Sequence, residues 1–185
     1  MPVPRFRRRP SRSLAVGLAL ALAPVLPAAA AGLAFDMPRG WVPSMPSSSM
    51  RVAEFTLPAA PGDAEDASLV IYFFPGGGGS VDANVDRWIG QMAQPDGSSS
   101  KATAKTSTMT SAAGLKLSLV DVSGTYVAEV TPGSAERFHK PGFRLRAAVV
   151  ETPDGPYYVK LVGPQATVAR WDESYLTFLG SMRAQ

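Results

Sequence analysis

The chain has 185 residues, with 18 basic and 15 acidic side chains, a formal charge of +3, a sequence pI near 9.4 and no cysteine. The missing thiols exclude disulfides, thiolate metal sites, cysteine nucleophiles and a lipid-bearing N-terminal cysteine. The basic balance, which would otherwise suggest nucleic acid, is concentrated in one short segment and excludes that partner once the segment is set apart.

That segment comes first. Arg5, Arg7, Arg8, Arg9 and Arg12 precede an apolar run of 13 residues from Leu14 to Leu26, and the small residues Ala29, Ala30 and Ala31 follow. A basic head, a short apolar stretch and an A-x-A site predict a secretory signal peptide over residues 1–31, cleaved on export through Sec. A membrane anchor needs about 20 apolar residues, and Pro24 and Pro27 interrupt this run at its end. The paired arginines also fit a twin-arginine signal, but the residues after them fit it poorly. Without those five of the 18 basic residues, 13 remain against 15 acidic ones, a formal charge of −2. Residues 32–185 make one domain, large enough to bury about 70% of its unfolded surface. It is expected to be periplasmic or secreted, monomeric, and without a membrane span after cleavage.

Leu33 to Trp41 predicts a short strand and a Gly-Trp turn, and Pro43 to Ser49 a proline-broken loop. Arg51 to Leu57 alternates, with Ala53, Phe55 and Leu57 opposite Val52, Glu54 and Thr56, which predicts a strand with one buried face. Leu69 to Phe74 is a continuous apolar and aromatic run, the pattern of a strand covered on both faces. Pro75 ends it, and Gly76, Gly77, Gly78 and Gly79 form a hinge before Ser80, a natural N-cap. Val81, Val85, Trp88, Ile89 and Met92 then recur at helical spacing. Lys101 to Thr110 suits an exposed edge strand. Leu115 to Val122 alternates, and Gly124 is expected to break it before a partner strand over Thr125 to Val130. Phe143 to Glu151 and Tyr157 to Val162 flank Thr152-Pro153-Asp154-Gly155, a hairpin turn. Val168, Trp171, Tyr175, Leu179 and Met182 form the stripe of a final helix. The order implies an α+β domain, a central antiparallel sheet flanked by two amphipathic helices.

Gly40-Trp41, MRVAEFTLP (Met50 to Pro58), a strand ending in FFPGGG, NVDRW (Asn84 to Trp88), a hairpin and a closing helix follow in an order that resembles the PsbP-like superfamily. That superfamily includes the PsbP extrinsic subunit of photosystem II and the Ran-binding protein Mog. PSSSMR, GDAEDASL, QPDG, VSGTY and GPYYVKL are similar, more narrowly, to exported bacterial proteins of unassigned function. The resemblance spans residues 39–180. It implies a sheet sandwiched by helices, an α/β/α sandwich, and a binding or assembly role without catalytic residues.

The residues themselves agree on the absence of catalysis. The glycine run lacks the lysine of a phosphate-binding loop and the later glycine of a dinucleotide fingerprint. His139, the one histidine, stands in a polar loop with no G-x-S-x-G serine to serve. Asp63, Glu65 and Asp66 lack the register of a calcium loop. No catalytic, metal or cofactor residue is expected, so the function read from the sequence is that of an exported, non-catalytic binding or accessory protein of the cell envelope. Its candidate surface is one hairpin face. If the turn pairs Val150 with Tyr158 and Ala148 with Lys160, then Arg144, Arg146, Tyr158 and Lys160 share a side, opposite a core of Phe143, Leu145, Val149, Tyr157, Val159 and Leu161. Three cations and a tyrosine suit an envelope protein or an anionic polymer. The alternative is a hydrolase using carboxylates near the glycine loop, such as Asp66 or Asp82.

Overall fold

The computed structural model describes Pro27–Ala30 and residues 32–185. Two antiparallel sheets are built from eleven strands: β1 (Pro27–Ala30), β2 (Leu33–Asp36), β3 (Val42–Ser44), β4 (Arg51–Leu57), β5 (Ala67–Phe73), β6 (Met92–Ala93), β7 (Lys105–Thr110), β8 (Lys116–Tyr126), β9 (Lys140–Thr152), β10 (Gly155–Pro164) and β11 (Arg183–Ala184). Four short helices join them: α1 (Val81–Ile89), α2 (Ser100–Thr103), α3 (Gln165–Arg170) and α4 (Asp172–Gly180). The large sheet runs β3-β4-β5-β10-β9-β8-β6, with β7 also on β8, and the small one runs β1-β2-β11. The fold is therefore α+β around an antiparallel sheet. Of the expected leader, residues 1–26 and 31 lie outside the described residues, whereas Pro27–Ala30 pairs with Leu33–Asp36. Among the described residues no helix is long and apolar enough to cross a membrane.

Strand alternation divides the core in two. On one face Phe55, Leu69, Ile71, Val159 and Leu161 are buried beneath Phe178 and Leu179 of α4 and Leu33 and Phe35 of the small sheet. On the other, Val120, Leu145, Ala147 and Val149 are buried beneath Trp88 and Ile89 of α1. The two coverings differ in extent. A helix about 10 Å across spans only about two strands at their spacing of about 4.8 Å, and α1 packs on β8 and β9. Beyond Tyr158, which Trp88 of α1 meets at 6.4 Å between ring centroids, the same face of β10, β5 and β4 has no helix over it among the described residues.

Five expectations are corrected. The Pro43–Ser49 loop begins inside an edge strand, since β3 pairs Val42 to Ser44 with Thr56 to Glu54. Gly124 does not end a strand: β8 continues through it to Tyr126, with the register shifting between Gly124 and Tyr126. The glycine is there because an added Cβ would stand 2.5 Å from the Ala93 carbonyl oxygen. The final helix is two, divided at Trp171, whose indole nitrogen donates 2.9 Å to the Pro58 carbonyl. Two flanking helices thus become four short ones. Leu69 to Phe74 is covered on one face by the core, and on the other it is left partly open.

The fifth correction is the hairpin register. Gly155 pairs with Thr152, so the loop is Pro153-Asp154 alone, and Tyr157, Tyr158, Val159 and Lys160 face Val150, Val149, Ala148 and Ala147. Gly155 lies at φ +119° and its carbonyl accepts 2.7 Å from Thr152 Oγ1, which makes it a strand residue rather than a turn residue. A slip of one residue exchanges the faces of a whole strand. Tyr158 and Lys160 consequently lie with Phe143, Leu145 and Val149 on the α1 face, while Arg144 and Arg146 lie with Tyr157, Val159 and Leu161 on the α4 face.

Candidate functional site

The open part of the α1 face is a groove of about 840 Å³. Its floor is three cross-strand rows. Arg51, Tyr72 and Tyr158 form the first, Val70 and Lys160 the second, and Ser68 and Val162 the third. Alternate residues advance about 6.7 Å, so the rows span about 13 Å. One wall is α1, which contributes Arg87 and Trp88, with Gln91 just after it, and the opposite end is formed by Tyr126, Phe138 and Phe143. The aromatic rings form two groups. Tyr72 and Phe74 stack at 6.1 Å, and Tyr126 stacks with Phe138 and Phe143 at 5.5 and 6.2 Å.

Lys160 stands at the centre of the floor. Its Nζ donates 2.6 Å to Gln91 Oε1 and 2.9 Å to the Tyr126 hydroxyl, and it lies 5.0 Å from the Tyr126 ring centroid. Both hydrogen-bond partners are neutral. Burial, with Arg87 and Arg51 adding repulsion, lowers its pKa to about 8. Arg87 donates to the Asn84 side-chain carbonyl, again a neutral group. Arg51 differs, being held by Glu54 at 3.2 Å. Burial, followed by the Tyr72 phenol, pushes the Tyr126 phenol up to about 12. One end of the groove therefore carries three cations against one carboxylate. At the other end, charges cancel in pairs, Lys140 with Glu65 and Arg137 with Glu129.

The glycine loop closes the Tyr158 end and is fastened rather than free. Ser80 caps α1, its hydroxyl accepting 3.2 Å from the Ala83 amide. Asn84 is buried, and its amide donates 2.9 Å to the carbonyls of both Gly78 and Ser80. Tyr158 donates 3.3 Å to the Gly79 carbonyl. Gly76, Gly77 and Gly79 have φ of +87°, +95° and +92°, where side chains are strained. Gly78 is required for a different reason: a Cβ there would lie 2.8 Å from the rings of Phe74 and Tyr158. Gly78→Ala is expected to lower stability by about 1–3 kcal/mol through overpacking, read as a lower urea midpoint with an unchanged slope. An unchanged midpoint would show that the loop does not rest on Tyr158.

Of the three cations and one tyrosine expected on one face, the structure brings Tyr158 and Lys160 to the groove and removes Arg144 and Arg146 from it. The two arginines enter an ion-pair quartet on the α4 face. Arg144 donates to both Asp121 oxygens at 2.8 and 2.6 Å and to Asp172 at 2.9 Å, and Arg146 donates to Asp172 at 2.6 Å. They hold α4 on β8 and β9.

The remaining candidates have structural surroundings of their own. His139 is exposed in its loop. Asp63 accepts from the amide and hydroxyl of Thr167, and Asp66 accepts from the Ala59 amide. Asp82 is exposed in the first turn of α1. The acidic loop thus fastens Pro58–Ala60 and α3, and no observation pairs its carboxylates with one near the glycine loop. Among the described residues, no three of His, Cys, Asp and Glu are grouped to hold a metal.

No protein-family model matches the chain, and no curated protein matches it in sequence. In structure it is similar to cyanobacterial PsbP (CyanoP) from Synechocystis sp. PCC 6803, with a TM-score of 0.51 and 11% identity over 92% of this chain and 99% of that one. A protein of unknown function from Pseudomonas aeruginosa aligns with a TM-score of 0.48 and 15% identity over 82% of this chain and 91% of that one. The fold is PsbP-like.

Proposed function

We propose that this is an exported, non-catalytic binding protein of the cell envelope, and that its ligand is a small amphipathic molecule held in the groove. In this reading residues 1–31 are removed as a signal peptide, and residues 32–185 work as one domain in the periplasm or outside the cell. The supporting observation is the groove itself. Its volume of about 840 Å³ falls in the range of small-molecule sites, about 300–1,000 Å³. Its lining combines aromatic rings with a few convergent polar groups, the composition such sites have. The partner surface expected on the hairpin is thereby moved from a flat sheet face to a concave one.

The test uses the purified protein and the neutral dye phenylnaphthylamine, whose emission rises in apolar surroundings. Val162→Trp fills the third row of the floor from a half-buried position, so the variant should keep the native thermal transition. The expected result is dye emission with the native protein and its loss with the variant. Dye emission that is absent, or equal in the two proteins, sinks the groove as a ligand site.

A further inference from the structure

The groove differs from one end to the other, and this limits what fits it. Around the first two rows Lys160, Arg87 and Arg51 converge, and the single carboxylate there, Glu54, is engaged by Arg51. Lys160 and Arg87 are left with neutral partners only. A cation withdrawn from water without an anion is unfavourable, and an incoming anion relieves that penalty. From the third row onward the surface is Val162, Phe143, Phe138, Ala128 and Val130, bordered by the pairs Lys140–Glu65 and Arg137–Glu129 and by the carboxylate of Asp66, which accepts from the Ala59 amide. Val130 and, at the other end, Met50 are exposed large apolar residues on this lining. A ligand complementary to such a floor has a charge at one end and an apolar body at the other.

Resting on the groove-binding reading, we propose that the ligand is a medium-chain amphipathic carboxylic acid, with its carboxylate between Lys160 and Arg87 and its tail running over Val162 and Phe143 toward Phe138. A singly charged head matches two cations, one of which, Arg87, also faces solvent. A dianion would call on Arg51 as well, which Glu54 already holds. From Lys160 the floor runs about 6.7 Å to Val162 and continues over Phe143 to Phe138, a path for a tail of medium length.

Lys160 makes the interaction sensitive to pH. The groups facing it are Arg51 and Glu54 from β4, Tyr72 from β5, Arg87 from α1, Gln91 just after α1, Tyr126 from β8 and Tyr158 of its own strand. Burial holds the phenols of Tyr72 and Tyr126 above their usual range. The charge of Lys160 is fully present below its pKa and is lost as pH rises through about 8. Affinity for the acid is therefore full on the low side, and falls about tenfold one unit above that value.

The experiment is displacement of phenylnaphthylamine by decanoate, decanol and decyl phosphate, with native protein and Lys160→Met. Decanoate is expected to displace at a concentration about tenfold lower than decanol. Lys160→Met should bring decanoate to the level of decanol, each displacement being scaled to the variant's own dye affinity, and so should raising the pH of the native protein well above 8. Equal displacement by decanoate and decanol, a flat pH profile, or tighter binding of decyl phosphate overturns the carboxylate assignment. In each of those cases the dye still reports an occupied groove, so the head assignment fails and the binding reading stands. If the dye never bound the groove, both fail together.

Discussion

Phe178→Ala is expected to destabilise the protein by about 3–5 kcal/mol, the range for removing a fully buried aromatic ring. Phe178 has no exposed surface and sits in the middle of an aromatic cluster. Its ring centroid is 5.0 Å from Phe35, 4.9 Å from Trp41 and 6.1 Å from Phe55. These four come from β2, the turn before β3, β4 and α4, so one side chain joins the helix, the small sheet and the edge of the large one. Edge-on pairs of this kind add about 0.5–1.5 kcal/mol each beyond burial. The measurement is urea unfolding, with thermal melting as a second reading; the melting temperature should fall by on the order of 10 °C. Leu176→Ala on the exposed side of the same helix is the comparison, expected to change stability by less than about 0.5 kcal/mol. Equal losses in the two variants would mean that helix propensity, and not the aromatic cluster, holds α4.

Asp172→Ala should cost about 2–3 kcal/mol, below the 3–5 kcal/mol of a wholly buried pair broken on one side. Asp172 is the one residue of the quartet on α4, and it accepts from Arg144 at 2.9 Å and from Arg146 at 2.6 Å. Arg146 is only 8% exposed and its guanidinium lies 4.7 Å from the Tyr175 ring centroid, so it cannot turn to water when Asp172 is removed. Asp121 still neutralises Arg144 and lies 3.7 Å from Arg146 Nε, and the Asp172 side chain is 37% exposed; all of these reduce the loss. The discriminating experiment pairs the variant with Arg146→Met. If the loss arises from the stranded cation, the double variant recovers most of it. If it persists undiminished in the double variant, the quartet is not what Asp172 contributes.

Much of the fold was legible because alternation and helical spacing report burial directly. Phe55 and Leu57 on one side of β4, and Trp88 and Ile89 on one stripe of α1, were assignable from neighbours in the chain. What stayed hidden depended on distant neighbours. Gly124 looks like a strand breaker until Ala93 is placed against it. Trp171 looks like one more residue of a helical stripe until the Pro58 carbonyl is there to accept from it. In the hairpin, the same four turn residues permit two registers, and the choice depends on whether Gly155 pairs. That single residue decided which cations shared a face, and the expected site failed on it. The groove was the least legible feature, because Arg51, Tyr72, Arg87, Tyr126 and Lys160 belong to five separate elements. A partial signal existed: Val70 and Tyr72 alternate with Leu69 and Ile71, so one face of an apolar strand ends in a tyrosine rather than an aliphatic residue.

The pairing of β2 with β11 has a consequence in time. Leu33 is opposite Ala184 and Ala34 opposite Arg183, and the Gln185 amide donates 3.0 Å to the Gly32 carbonyl. Leu33 and Phe35 share a buried cluster with Phe178 and Met182, which lie far along the chain from them. Contacts of such sequence separation carry a large loop-closure cost, so this part of the core is expected to form late in folding, after the hairpins of the large sheet.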